Sequence, residues 1–368
     1  MKNMMANIQE GPMKGAAIGL LILVILLIAG CSGIGPPTVA RDRFDYISAI
    51  SESWKRQTLL NLLKTRYADA PVFMDVTSVI SQYVVEGQVQ LGATWSDADL
   101  IGNSQNVSGS GKYTDRPTVT YSPITGDKFT KSLMTPLPVS GILFLLQSGY
   151  PADFVMRITV QTINGIENRF GGSITGRAAD QRFKELIKSL RKIQIAGGLG
   201  MRVKPMGEKK AVVMFFRPVT DEAIASDRKK VMEILGLNLD AREFRVAYGS
   251  YAGDDTEIAM LSRSMLQIMI DVASYIDVPA SDVAEGRVYA LPGESEETAS
   301  EFPPLIRVRN AIAHPDDAYA AVRYRDRWFW IDDRDYPSKR MFTFLMFLFS
   351  LTETGGPQAA PIVTVPTN

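Results

Sequence analysis

Apolar residues recur along the chain with two different periods, one typical of helices and the other typical of strands. Within residues 178–193 the large apolar residues are three or four positions apart and so share one face of a helix: Phe183, Leu186, Ile187, Leu190 and Ile193. Before them, Val89, Leu91, Ala93 and Trp95 alternate with Gln88, Gln90, Gly92 and Thr94, which is typical of a strand with one polar face. The two periods together predict an α+β fold with antiparallel or mixed sheets packed against amphipathic helices.

The same patterns predict further elements on both sides of these two. Helices are expected at residues 46–67, 139–148, 178–193, 221–235 and 264–276, with Thr220 as the cap of the fourth. Strands are expected at residues 71–79, 154–162, 200–204, 211–217, 243–249, 305–312, 318–324 and 327–331. Residues 96–112 are rich in Asp, Asn, Ser and Gly and are expected to form a mobile loop, and residues 293–301 an acidic loop.

The strand at residues 327–331 has large apolar residues on both faces. Trp328 and Trp330 point to one side, and Phe329 and Ile331 point to the other. A strand of this kind is usually covered on both faces, so we expect it to be central in its sheet. The following aspartates suit a helix N-terminus, and residues 341–351 then form an apolar helix that is too short to cross a bilayer.

The N-terminus has the features of an export signal. Lys2 and Lys14 precede an apolar run at residues 16–29, and small residues stand before Cys31. The stretch Leu27-Ile28-Ala29-Gly30-Cys31 resembles the lipobox of bacterial lipoproteins. This resemblance implies cleavage between Gly30 and Cys31, with diacylglyceryl and N-acyl chains on Cys31. Ser32 in the next position resembles the pattern for an outer-membrane destination in a Gram-negative cell.

The alternative for this segment is an uncleaved N-terminal helix with an incidental cysteine. The lipoprotein interpretation divides the chain into five parts. Residues 1–30 are the signal peptide, and residues 31–40, which are rich in Gly and Pro, are a flexible tether. An N-terminal α+β part at 41–175 and a C-terminal α+β part at 176–354 follow, and residues 355–368 form a disordered tail.

Composition excludes several classes of function. Lys+Arg and Asp+Glu both number 40, so the formal net charge is zero and provides no basic face for nucleic acid. There is one cysteine and one histidine. A single cysteine cannot form a disulfide within the chain. Zinc, copper and iron–sulfur sites use mainly Cys and His ligands, and a chain with only one of each argues against such a site. The composition does not exclude a calcium or magnesium site with oxygen ligands.

Three motifs suggest chemistry, but each has a simpler structural interpretation. His314 would have to serve any serine or cysteine nucleophile, yet it lies beside Pro315 in a predicted turn. Ser189 and Lys192 fit the S-x-x-K pattern of penicillin-interacting enzymes, whose other motifs are missing. Residues 109–112 have the letters of a phosphate-binding loop, but Tyr113 stands where Ser or Thr is required.

Acidic and aromatic clusters are the other candidates. Two acidic groups could bind Ca²⁺, although neither has the spacing of a known calcium loop: Asp254, Asp255 and Glu257, and Asp332, Asp333 and Asp335. Trp328 and Trp330 would form a platform for sugars if they were exposed. The β-prone tail segment at residues 361–366 could add a strand to the sheet edge of a partner.

These observations predict a lipid-anchored lipoprotein of the outer membrane that faces the periplasm. We expect no catalytic residue, metal or cofactor, and a role as a scaffold or accessory subunit with an envelope protein as partner. Two other classes stay open. One is a hydrolase of envelope polymers that uses paired carboxylates, and the other is a lipoprotein that binds lipid or glycan.

Overall fold

The computed structural model describes residues 36–80, 83–94, 104–115, 118–172, 176–206, 209–217, 220–290 and 303–352. The chain divides into two compact units between Lys55 and Arg56. The first contributes the start of helix α1 (Pro36–Arg66), which begins ten residues before the predicted start at residue 46. Part of the predicted tether at 31–40 is therefore helical. Proline is well tolerated in a first helical turn, where its missing N–H group would have no partner.

The α+β fold class is confirmed. Nine α-helices lie within the described residues: α1, α2 (Gly126–Phe129), α3 (Val139–Gln147), α4 (Ala152–Thr159), α5 (Gln181–Ile195), α6 (Glu222–Leu235), α7 (Met265–Ala273), α8 (Ala280–Ala284) and α9 (Tyr336–Thr352). A π-helical turn, Thr130–Met134, continues α2. Most of these helices match predicted ones, because their buried residues recur at helical spacing.

The second unit contains a mixed six-stranded sheet. Its strands are β5 (Val160–Ile163), β6 (Ile166–Glu167), β7 (Leu199–Met206), β8 (Lys209–Phe216), β9 (Glu243–Tyr248) and β10 (Glu257–Ser262), in the order β6-β5-β10-β9-β8-β7. Only the β9–β10 pair is parallel. The predicted boundary between residues 175 and 176 falls inside this sheet, since β5 and β6 precede it and the other strands follow it.

A smaller antiparallel sheet lies near the C-terminus. It consists of β11 (Arg309–Ala311), β12 (Ala318–Tyr324) and β13 (Arg327–Asp332), in the order β11-β13-β12. The predicted central position of β13 is thus confirmed. Coverage differs between its faces, because Phe329 and Ile331 are buried whereas Trp328 and Trp330 are half-buried.

The remaining four strands form two separate antiparallel pairs that follow each other along the chain, and we call the two pairs together the ribbon. Its base pairs β1 (Met74–Ile80) with β4 (Thr118–Pro123), and its outer part pairs β2 (Tyr83–Thr94) with β3 (Ser104–Asp115). The expectation of a mobile loop at 96–112 was wrong for residues 104–112, which belong to β3. Serine, glycine and asparagine have low strand propensity, but backbone hydrogen bonds to β2 pair them regardless of side chain.

Two other predictions need correction. Residues 154–162 were expected to form a strand, but residues 152–159 form α4 and only the last part is strand β5. Val155, Met156, Ile158 and Thr159 are all buried, and this spacing of two adjacent pairs three positions apart fits a helix packed on one side rather than the alternation of a strand. Asp221, and not Thr220, caps α6, because its carboxylate accepts a hydrogen bond from the N–H of Ala223.

The core of the second unit lies between the six-stranded sheet and helices α3, α4 and α5. The predicted apolar face of α5 is fully buried. It packs with an apolar cluster that includes Leu143, Met156, Ile163 and Met260. Helix α7 begins with a reciprocal pair of cap bonds between Ser264 and Gln267.

Candidate functional site

The residues of the predicted lipidation site lie outside the described part of the chain. This applies to Gly30 and Cys31, and also to the tail segment at 361–366. Their chemistry therefore stays a prediction from sequence. The other predicted candidates lie within the described residues, and the structure shows what each of them contacts.

His314 and the S-x-x-K pair have structural roles. The imidazole of His314 is exposed and contacts the ring of Trp328 edge-on, with 4.4 Å between the ring centroids. Ser189 is buried and donates a hydrogen bond of 2.8 Å to Asp227 on α6, while the Lys192 ammonium lies 3.1 Å from the same carboxylate. Both residues of the motif thus connect α5 to α6, and the serine hydroxyl is already engaged.

The carboxylates of each acidic candidate group have separate partners. The Asp254 carboxylate accepts hydrogen bonds from Thr256, which hold its pKa below the usual range, and Glu257 pairs with Arg245. Asp255 accepts a hydrogen bond from Asn238.

The aspartates around β13 and α9 are also separated. Asp332 pairs with Arg309, Asp333 pairs with Lys339, and Asp335 accepts hydrogen bonds from Ser338 at the start of α9. Among the described residues there is no group of three or more His, Cys, Asp or Glu side chains arranged to hold a metal ion.

An open groove of about 430 Å³ lies beside β5 and β10. Its polar lining consists of amides and hydroxyls, including Gln161, Tyr248, Ser264 and Gln267, without a carboxylate. Hydrogen bonds lower the pKa of the Asp180, Glu185 and Asp254 carboxyl groups. A general acid of a glycosidase needs a raised pKa instead, so these three groups do not suit that role.

A buried ionic cluster was not predicted from the sequence. Arg263 and Asp271 are both almost fully buried, and an Nη1 of Arg263 lies 3.0 Å from Oδ2 of Asp271. The other carboxylate oxygen accepts hydrogen bonds from Arg169 at 3.0 Å and from the N–H of Gly171 at 2.6 Å. Burial lowers the pKa of Arg263, and the charge of Asp271 opposes this shift.

This ionic cluster connects several helices and strands and has the features of a structural cluster. Arg263 also donates to the backbone carbonyls of Arg157, Ile158 and Arg169, so it ties the end of β10 to α4 and to the segment after β6. Both of its Nη groups are used by these contacts, whereas its Nε is buried without a hydrogen-bond partner. A Cβ atom at Gly171 would lie 2.1 Å from Oγ of Ser274, which shows how closely the backbone approaches the cluster.

The base of the ribbon carries an exposed apolar face. Cross-strand partners share a face, so Met74, Val76 and Val79 lie on the same side as their partners Pro123, Tyr121 and Val119. Exposure is 40% for Met74, 37% for Val119 and 56% for Tyr121. The opposite face is polar apart from Ile80, and its other residues are Asp75, Ser78, Thr118, Thr120 and Ser122. The ribbon base is therefore amphipathic, and its apolar side is in contact with solvent.

The ribbon is attached to the rest of the second unit at its base. Gln57 of α1 makes two hydrogen bonds to the backbone of Met74, and Asn61 makes two to the backbone of Val72. Lys128 pairs with Asp75 at 3.0 Å. The side chain of Phe73, just before β1, is buried against Phe349 of α9. These contacts fix the direction in which the two strands leave the core.

Comparisons with known proteins give no family assignment. No family model, curated protein or solved structure matches this chain. Among the described helices, none combines the length and the hydrophobicity that crossing a bilayer requires.

Proposed function

We propose that the protein is a lipid-anchored lipoprotein of the outer membrane, facing the periplasm, that serves as a non-enzymatic subunit of an envelope assembly. The observation that carries this proposal is the exposed apolar face at the base of the ribbon. Exposed apolar faces with polar surroundings are typical of surfaces that bind another molecule. The ribbon is the described feature that most needs a partner.

Two physical properties of the ribbon support a role in assembly. A two-stranded ribbon is at best marginally stable in water, because each strand has only one neighbour and one face has no core to cover it. Both outer edges also present backbone N–H and C=O groups that can pair with another strand. Burial of Val119, Tyr121 and their neighbours against a partner would relieve both deficits.

The anchor is supported by the sequence around Cys31. Acylation of its sulfur and of the new amino group would add several chains, and multiple chains anchor a protein much more firmly than one. The hydrolase alternative has less support, because the described groove lacks carboxylates. The glycan alternative also has less support, since Trp328 and Trp330 are only half-exposed and His314 contacts one of them.

Replacing Cys31 tests the anchor. Cys31→Ser removes the acylated sulfur, so labelling with a radioactive or clickable fatty acid should disappear and the protein should leave the membrane fraction. Ser32→Ala keeps the cysteine and is the matched control for acylation. Retention of Cys31→Ser in washed membranes would show that the anchor does not depend on this residue.

Substitutions on the two faces of the ribbon base test the assembly. Tyr121→Lys places a charge on the apolar face, and Thr120→Lys places the same charge on the polar face of the same strand. In envelopes solubilised with mild detergent after gentle crosslinking, we expect a defined larger species for the wild type and for Thr120→Lys. The Tyr121→Lys variant should lose it by about tenfold or more. Recovery of the wild type as a bare monomer would contradict the proposal.

A further inference from the structure

The outer part of the ribbon has a regular register. Twelve consecutive pairs connect β2 to β3, from Tyr83 with Asp115 to Thr94 with Ser104. In every pair both residues have odd numbers or both have even numbers, so one face of the ribbon carries all the odd positions and the other all the even positions.

The two faces differ sharply in composition. The odd positions are valine, leucine, alanine, glycine and tyrosine, apart from Gln105 near the tip and Asp115 at the base. The even positions are mainly glutamine, serine, asparagine and threonine, and Glu86 stands opposite Lys112. Lys112 and its even-numbered neighbour Ser110 are exposed to solvent. Apart from Val84 and Gly92 on the even face and the two polar residues on the odd face, apolar and polar residues alternate along both strands. Such alternation is typical of strands that have lipid on one side and water on the other.

The length of β2 and β3 fits a bilayer. Each strand has 12 residues. A strand of this length extends about 40 Å and, at a tilt of about 45°, spans about 28 Å, close to the thickness of a hydrocarbon core. Tyr83 and Tyr113 belong to the first three registered pairs, at the base end. Aromatic residues at the end of an apolar band are enriched where membranes meet water.

From this pattern we propose that β2 and β3 insert into a lipid bilayer with the odd-numbered face toward the acyl chains. Lipid offers no partner for backbone N–H and C=O groups. The outer edges of the hairpin therefore pair with the hairpins of further copies of this chain, until the sheet closes around a water-filled interior lined by the even positions. The proposal deepens the proposed function, on which it rests for delivery of the protein to the membrane.

A partner protein would explain the odd-numbered face less well than lipid does. A protein interface has no requirement for a band of one bilayer thickness, nor for tyrosines at its end. It also does not require the opposite face to be mainly polar along both strands. These features are all expected together of a hairpin that spans a membrane.

Single-cysteine labelling tests which face meets lipid. In a Cys31→Ser background the chain has no other cysteine, so a thiol can be placed at Val89 or Leu91 on the odd face, or at Gln88 or Gln90 on the even face. Each full-length variant is labelled with an environment-sensitive fluorophore and reconstituted by detergent removal into phosphatidylcholine–phosphatidylglycerol vesicles, with or without brominated acyl chains. Cysteines at Val119 and Thr120 in the ribbon base are matched controls.

We expect brominated lipid to quench the odd-numbered positions at least about twofold and to leave the even-numbered positions and both base controls nearly unchanged. Equal quenching at odd and even positions, or none at any position, would overturn the proposal. Blue-shifted emission at Val89 and Leu91 without quenching would also overturn it, because that result would mean that protein covers this face.

A charge-scanning pair provides a second test in the same vesicles. Leu91→Arg places a charge on the odd face, and Gln90→Arg places it on the even face. We expect Leu91→Arg to lower the inserted, carbonate-resistant fraction about tenfold or more, and Gln90→Arg to keep it. Equal insertion of both variants would contradict a lipid-facing odd side. Since the labelling assay needs no acylation, its failure is distinguishable from loss of the anchor at Cys31.

Discussion

At the scale of single residues, the buried charge of Arg263 places the strictest demand on its surroundings. Its guanidinium is 1% exposed and depends on Asp271, which is also shared by Arg169 and the backbone of Gly171. No pattern in the sequence indicated this arrangement. Arg263 and Asp271 lie eight positions apart, and their third partner comes from a distant segment. Only the tertiary fold brings such groups together, so no local pattern predicts them.

Removing the negative charge of this cluster should be strongly destabilising. Asp271→Asn keeps the shape of the side chain but leaves Arg263 buried without a counter-charge, so the free energy of unfolding should fall by about 3–5 kcal/mol. Asp317→Asn, in an exposed pair with Arg334, should change it by less than about 1 kcal/mol. Urea denaturation of both variants measures this difference. Similar values for the two would show that the buried pair is not needed for stability.

A second residue-scale prediction concerns Tyr67 at alkaline pH. Burial and the hydrogen bond that its hydroxyl donates to Asp282, at 2.6 Å, raise the pKa of Tyr67 above the usual value. Above about pH 10 the unfolded chain loses this proton while the folded chain keeps it, so stability falls as the pH rises.

Tyr67→Phe should therefore flatten this alkaline decline. We expect the free energy of unfolding to fall by about 1 kcal/mol less per pH unit above pH 10 than in the wild type, although the variant starts lower at pH 8. Tyr251→Phe, at a tyrosine that is 79% exposed, is the control for loss of a hydroxyl. Parallel declines for wild type and Tyr67→Phe between pH 9 and 11 would refute this role.

At the scale of elements, helices and strands with a strong hydrophobic period were predicted well, and those with a weak period were not. The helix at 178–193 was clear because five buried apolar residues define one face of α5. Strand β3 was missed because only two of its six odd positions, Val107 and Tyr113, carry a large apolar side chain, and because its partner strand supplies the pairing. The ribbon could therefore be only half predicted. The face of β2 was visible in the sequence, whereas its pairing with β3 was not.

The end of α6 allows a prediction with a matched control. Gly236 ends the helix with a φ of +67°, and a Cβ atom there would meet nothing within 4 Å. Gly253 is equally open, but its φ lies outside the left-handed region. Gly236→Ala should thus lower the free energy of unfolding by about 1 kcal/mol, and Gly253→Ala should have little effect. Thermal denaturation of the two variants measures the cost of placing a side chain in the left-handed backbone conformation. Equal destabilisation by both substitutions would contradict this prediction.

At the scale of the whole molecule, the ribbon is joined to the second unit by only a short base. Its described hydrogen bonds to the core are those of Gln57 and Asn61, together with the Lys128–Asp75 pair. The predicted boundary between residues 175 and 176 separates β5 and β6 from the later strands of their sheet, because hydropathy does not reveal which strands pair. Long-range strand order is the part of the fold that periodicity leaves open.

Excision of the ribbon should separate folding from assembly. Asp75 and Ser122 are cross-strand partners, so an Asn-Gly turn can replace residues 76–121 between them. The shortened chain should unfold cooperatively, with a free energy within about 1 kcal/mol of the wild type, yet form no larger species after crosslinking. A shortened chain that fails to fold would show that the ribbon stabilises the core.

The open edges of the ribbon base have a consequence for the protein before it reaches its partners. Collisions between two free copies can add strand to strand, and the rate of such an event rises with the square of concentration. A low concentration during export, or a carrier protein that covers β1 and β4, would keep the fraction of protein lost to such aggregation small. Overproduction of the unanchored chain should therefore yield aggregates whose fraction depends steeply on expression level.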